Sequence, residues 1–216
     1  MPLLWHDDGK RRCSKTVLKE AVRLEEKRIT DKRHTFLTGP PRIGKTTIVL
    51  RVVDDLKIRG FKVGGVVSRE ILDGGVRVGF KIIDLLSGVE GRLAHVNHKS
   101  GPQVGKYRVC LEDLEKVGAR AILNACEKAD LVVIDEVGPM ELYSKPFKES
   151  VLKALEGNKI ILGTIHWRAK TPFTEMMRRR EDVEIVEVKY ENRNVLPKIL
   201  VEKILSRLMA DAYMWS

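Results

Sequence analysis

Cysteine is nearly missing from this 216-residue chain. Cys13, Cys110 and Cys126 are its three, widely separated, with no Cys-x-x-Cys pair and no histidines at ligand spacing. That excludes a disulfide-stapled scaffold and a structural zinc site, and it suits a reducing interior. Aromatic residues are only 6%. None of them interleaves with basic residues in the way that stacks single-stranded nucleic acid. No apolar run approaches the length needed to cross a bilayer. The short patch Pro2, Leu3, Leu4 and Trp5 precedes the basic cluster Lys10, Arg11 and Arg12, the reverse of a secretory signal. A cytoplasmic protein without a membrane partner is the expectation, and no internal repeat is visible.

What is present points to one α/β domain. Lysine and arginine number 40 against 30 acids, a formal charge of +10 that favours polyanionic ligands. Acidic residues are mixed among the basic ones throughout, so nucleic acid is a permitted but less favoured partner. A chain of this length can bury roughly 70% of its unfolded surface without metals or disulfides. Apolar and polar segments alternate as strand, helix, strand, the pattern of a parallel sheet covered on both faces.

The expected order begins with a basic helical extension over residues 1–33. In it Val17, Leu18, Ala21, Val22 and Leu24 form a stripe after the potential cap Ser14. That helix either packs on the outside of the domain or serves as a partner-binding arm. The main domain is expected over 34–209, with a tail over 210–216. Strands are expected at 34–37, 61–67, 130–135, 159–165 and 183–188, with helices at 45–58, 112–128, 145–155, 173–180 and 192–209. Residues 69–72 and 76–83 flank Asp73, Gly74 and Gly75, a hairpin signal, read as either an edge extension or a flap. Residues 84–106 are rich in glycine and give no clear assignment.

The strongest motif is Gly39-Pro40-Pro41-Arg42-Ile43-Gly44-Lys45-Thr46-Thr47, a full match to GxxxxGK[ST] between an apolar strand and a helical pattern. Gly39 and Gly44 let the backbone turn where a side chain would collide with phosphate. The amides between them then form an anion nest, reinforced by the N-terminus of the following helix. Lys45 is placed to reach the β- and γ-phosphates, and Thr46 to offer its hydroxyl to magnesium. Thr47 is set to contact the α-phosphate. Arg42 either touches phosphate or faces solvent.

The partner of such a loop is Asp130-Leu131-Val132-Val133-Ile134-Asp135-Glu136, a buried strand that delivers two carboxylates at its carboxyl end. Asp135 is expected to act on magnesium with Thr46, and Glu136 to take a proton from the attacking water. Carboxylates after a core strand are costly unless charged partners meet them, and a metal–phosphate site supplies those partners. Glu141 is a rival base or an arginine clamp. His166, after another apolar strand, is a candidate sensor of the γ-phosphate. Arg178, Arg179 and Arg180 resemble the basic lid of a small-molecule kinase, which keeps that class alive beside hydrolysis.

Several of these segments, in order from about residue 35 to 196, resemble the thermophilic nucleoside-triphosphatase family, whose eukaryotic members are called cancer-related nucleoside-triphosphatases. Gly39 to Thr47 resembles its Gly-Pro-Pro-x-x-Gly-Lys-Thr-Thr loop. Gly75-Val76-Arg77-Val78-Gly79-Phe80 and Val104-Gly105-Lys106-Tyr107-Arg108-Val109 resemble two further segments. The stretch from Asp135 to Ser144 resembles Asp-Glu-x-Gly-x-Met-Glu-x-x-Ser, and Asn192-Arg193 its last motif. The resemblance implies a P-loop NTPase fold: three layers, a mostly parallel central sheet and an inserted hairpin. It also implies magnesium-dependent hydrolysis of ATP, GTP, CTP, UTP and dTTP. Catalysis falls to Lys45, Asp135, Glu136 and Glu141, with Arg77 and Lys106 as added nucleotide contacts. From the residues alone Arg77 has a second reading, a pair with Glu70 across the hairpin. Pro139 stands where the family commonly has lysine, and Arg42 where it has a small residue, so both positions depart from the pattern. No Asn-Lys-x-Asp motif reads guanine, which fits a loose base site. A monomer is expected, with a nucleotide-switched nucleic-acid-binding module as the reading from another class.

Overall fold

The structure is a computed structural model that describes residues 32–214, with side chains described as far as residue 210. The helix expected over 14–33 therefore lies almost wholly outside the described residues. Among the described residues nine strands form one sheet: β1 His34–Thr38, β2 Val63–Asp73, β3 Val76–Asp84, β4 Glu90–His95, β5 Gln103–Val104, β6 Tyr107–Val109, β7 Leu131–Val137, β8 Ile160–Ile165 and β9 Val183–Glu187. Their order across the sheet is β5-β6-β4-β3-β2-β7-β8-β1-β9. From β2 to β9 all neighbours run parallel, and from β2 outward to β5 all run antiparallel. The α/β architecture expected of a P-loop protein is present, with the sheet half parallel and half an antiparallel wing.

The helices are α1 Lys45–Ile58, α2, α3 Lys145–Glu156, α4 Pro172–Arg179 and α5 Leu196–Met214. Here α2 is one continuous run of Leu111–Asp113, the π-helical turn Leu114–Ala119 and Arg120–Lys128. Strand alternation divides the core into two. Phe36, Val132 and Ile134 pack towards α2 and α3, whereas Leu37, Leu131 and Val133 pack towards α1 and α5. Continuous apolar runs in β7 and β8 follow from this burial on both faces. Gly163 in β8 is required by the packing, since a Cβ there would lie 2.5 Å from the Phe36 ring. Among the described residues no helix is long and apolar enough to cross a membrane.

Three differences from the sequence reading have physical causes. The strand expected at 61–67 and the first arm of the hairpin are a single strand, β2. Its first half pairs with β7 and its second half only with β3. The hairpin runs on past Asp135 at the carboxyl end of β7, and the wing continues through the glycine-rich 84–106 region with β4 and β5. Strand β5 has only two residues, and the six of β4 do not alternate in burial. Finally, the last helix begins at Leu196 rather than Asn192 and runs to Met214 rather than Met209. Asn192 is used in the preceding turn, where its Oδ1 accepts from Lys189 N at 2.8 Å and its Nδ2 donates to Glu187 O at 2.9 Å.

Candidate active site

The phosphate loop connects β1 to α1 at the carboxyl end of the parallel strands. Gly44 caps α1 with φ of 114° and no side-chain hydrogen bond, and the first turn holds no acidic residue. The free amides and positive end of a 14-residue helix are therefore left for an anion. Gly39, at φ 142°, is required by its neighbour: a Cβ there would sit 2.8 Å from Val188 O. Gly44 has open space around it, so its need is the left-handed backbone alone. Ile43 is buried and anchors the loop to the α1 side of the core, with its amide donating to Pro40 O at 3.3 Å. Pro41 and Arg42 are exposed, and Arg42 itself takes φ 63° and faces solvent. Lys45 folds back over the loop, donating to Gly39 O at 3.0 Å and Pro40 O at 3.4 Å. Thr46 is half-buried and Thr47 exposed.

Strand β8 lies between β1 and β7, so the carboxylate strand stands two sheet spacings, roughly 10 Å, from the loop's own strand. The register of β7 on β8 slips between Ile134 and Val137, which face Gly163 and Ile165. Two residues, Asp135 and Glu136, thus oppose the single Thr164, and such a bulge re-aims side chains. Thr164 Oγ1 donates to Asp135 Oδ1 at 2.7 Å. Asp135 Oδ2 and Glu136 Oε1 are buried with no hydrogen-bond partner among the described residues. Burial pushes the Asp135 carboxyl up, opposed by the hydroxyls of Thr164 and Thr46 and the charge of Lys45. Burial also moves Glu136 up to about 7, with Lys45 pulling it down and Asp135 pushing it up.

The chain then turns at Gly138. A Cβ on that residue would meet Glu141 Oε2 at 3.1 Å, His166 Cβ at 3.4 Å and Glu136 Oε2 at 3.5 Å, so these three side chains converge on it. Glu141 is buried, and its carboxyl is pushed up to about 8, first by burial and then by the charge of Glu136. His166 is pulled down by burial, and by the positive charges of Lys45, Arg168 and Arg178. The structure therefore gathers Lys45, Thr46, Asp135, Glu136, Glu141 and His166.

Two further expected contacts, Arg77 and Lys106, belong to the antiparallel wing. Arg77 is in the wing, where Nη1 donates to Glu70 Oε1 at 2.5 Å, Nε donates to Tyr107 Oη at 2.9 Å, and the guanidinium lies over the Phe80 ring. Lys106 is exposed, with Nζ 5.5 Å above the Tyr107 ring. The kinase-like lid is not formed by the arginine run. Arg178 Nη2 donates to His166 O, and Arg180 is tied to Asp182 and Leu155 O, so α4 is fastened to the body. Thr164 was not foreseen: a threonine inside an apolar strand acquires meaning only through its register with Asp135.

The raised carboxyls make stability depend on pH. The folded chain holds a proton on Glu141 that an unfolded chain releases above the usual value of 4.5, so this stabilisation is complete below 4.5 and lost as pH rises through about 8. Glu136 acts in the same direction, up to about 7. Thermal unfolding of nucleotide-free protein is expected to show Tm falling across that window, with a shallower fall in Glu141→Gln. Equal slopes for the two proteins would contradict this assignment.

A family model described as NTPase matches residues 34–201. The chain is 50% identical over 175 residues to the nucleoside-triphosphatase THEP1 of Thermofilum pendens, covering 81% of this chain and 96% of that one. It is 43% identical to THEP1 of Methanosarcina acetivorans, covering 80% and 97%. The crystal structure of THEP1 from Aquifex aeolicus superposes with a TM-score of 0.71 at 28% identity, covering 79% of this chain and 98% of that one. The solution structure of a human cancer-related nucleoside triphosphatase superposes at 0.69 with 38% identity, covering 81% and 98%. With the phosphate loop and the carboxylate strand on one edge of one sheet, the chain belongs to the THEP1 family of nucleoside-triphosphatases.

Proposed function

We propose that this protein hydrolyses ATP, GTP, CTP, UTP and dTTP to the diphosphate and phosphate in a magnesium-dependent reaction. The observation that carries the reading is the pair of orphaned buried oxygens, Asp135 Oδ2 and Glu136 Oε1, within the field of Lys45 and beside an uncapped helix N-terminus. Buried polar atoms without partners call for an explanation, and a cation with a water molecule supplies one. Thr46 and Asp135 offer hard oxygen ligands of the kind magnesium takes. Among the described residues no group of three or more His, Cys, Asp or Glu side chains is set to hold a metal. Magnesium held by Thr46 and Asp135 would keep phosphate and water oxygens as its further ligands, as is usual for this ion. When bound, magnesium neutralises charge on the β- and γ-phosphates.

The chain's own groups do the rest. Backbone N–H groups from Gly44 to Thr47 cradle the phosphates, Pro40 and Pro41 having none to give, while Lys45 exchanges its loop carbonyls for phosphate oxygens. Glu136 Oε1 accepts a proton from water as the water oxygen bonds to the γ-phosphorus. The bond from that phosphorus to the β-bridging oxygen breaks, and the diphosphate departs. A base titrating near neutrality is well matched to this task. The protein is read as a monomer whose partners are nucleoside triphosphates.

The test is release of inorganic phosphate from each of the five triphosphates, with magnesium or EDTA and without an acceptor. Release from all five, abolished by EDTA, is the expected result. Turnover only with a phosphorylatable acceptor would replace the reading with a kinase. Dependence on added RNA or DNA would replace it with a nucleic-acid-coupled switch.

A further inference from the structure

The position of the base follows from the two sides of β1. The carboxylate strand β7 lies on one side, and β9 is the neighbour on the other. A triphosphate with its γ end at Asp135 and Glu136 therefore leads its nucleoside towards β9 and the loop that follows it. That loop is fastened to the phosphate loop: Val188 N donates to Thr38 O at 2.8 Å, and Val188 O presses on Gly39. Asn192 stiffens it from inside through its bonds to Lys189 N and Glu187 O.

From this held loop Tyr190 projects with 70% of its surface exposed. The guanidinium carbon of Arg193 lies 4.7 Å from the centre of the ring and covers one face. An exposed aromatic whose orientation is already set by a cation loses little freedom when a second flat group stacks on it. We propose that the nucleobase stacks on the open face of Tyr190, so that the protein binds the π-surface of the base. The Asn192 amide is committed to the turn itself. Stacking tolerates every base, which accounts for the broad range in the function proposed above, on which this inference rests. The pair Trp167 and Arg168 resembles it chemically but follows β8, on the γ side.

The test compares KM and kcat for ATP, GTP, CTP and UTP in wild type, Tyr190→Ala, Tyr190→Phe and Trp167→Ala. Inorganic triphosphate serves as a competitive inhibitor without a base. Y190A is expected to raise KM by roughly 5- to 150-fold for all four nucleotides, more for purines, with little change in kcat. The Ki of inorganic triphosphate stays put, and the ring of Y190F rescues the affinity. Unchanged KM in Y190A, a loss confined to one base, or a loss in W167A instead would overturn the proposal and leave the phosphate site standing. Failure of inorganic triphosphate to compete in wild type would instead count against the phosphate site itself.

Discussion

Glu136→Gln is expected to bind magnesium-triphosphate nearly as wild type does, yet to slow single-turnover hydrolysis at least about 100-fold, the lower end of general-base assistance. Glutamine keeps the size and most hydrogen bonding of the side chain while removing the proton acceptor. Glu141 is the rival, because it converges with Glu136 on Gly138. Their environments separate them. Burial pushes both carboxyls up, but the charge of Lys45 pulls Glu136 back towards its ionised form, whereas the charges of Glu136 and Asp135 push Glu141 further up. Glu141→Gln is thus expected to cost far less in the chemical step. Near-wild-type chemistry in E136Q beside a large loss in E141Q at unchanged affinity would reverse the assignment.

The second large effect belongs to Lys45→Ala. The Lys45 ammonium lies over the phosphate loop and its charge acts on Glu136, which suits it to meet the phosphates in the proposed reaction. Loss of a preorganised charge at a transferring phosphoryl group costs about 10²- to 10³-fold in rate. KM should rise as well, because the same charge meets the ground-state triphosphate. The fold should survive, since in the free protein Lys45 Nζ bonds two loop carbonyls on a half-buried surface, and the carboxyls it faces, Asp135 and Glu136, are already pushed by burial towards their neutral forms. Steady-state kinetics with a parallel unfolding curve checks both points. A K45A protein with unchanged kcat/KM would show that this loop is not the working site.

The parallel half of the sheet was legible because its strands are buried on both faces and its helices carry long apolar stripes. Gly39 to Thr47 and Asp135-Glu136 were legible because their chemistry is local: each needs specific residue types at fixed spacing. The wing was not, since β5 and β6 are two and three residues long and derive their order from neighbours. Contacts made across the fold were also hidden. The approach of Val188 to Gly39, the bond from Thr164 to Asp135 and the convergence on Gly138 join residues that spacing cannot relate. For Arg77 the sequence left two readings, triphosphate or Glu70, and the free protein forms the Glu70 pair; Lys106 lies beside Tyr107 in the same wing.

The central claim is that the loop and the carboxylate strand close on one magnesium-triphosphate. A crystal structure of E136Q grown with magnesium and ATP tests it most directly, because slow chemistry keeps the substrate whole. The account predicts the γ-phosphate at Lys45 and the ion between the phosphates, Thr46 Oγ1 and Asp135, directly or through one water. A triphosphate bound away from Gly39 to Thr47, or an ion with Asp135 outside both its first shell and its water shell, would contradict it.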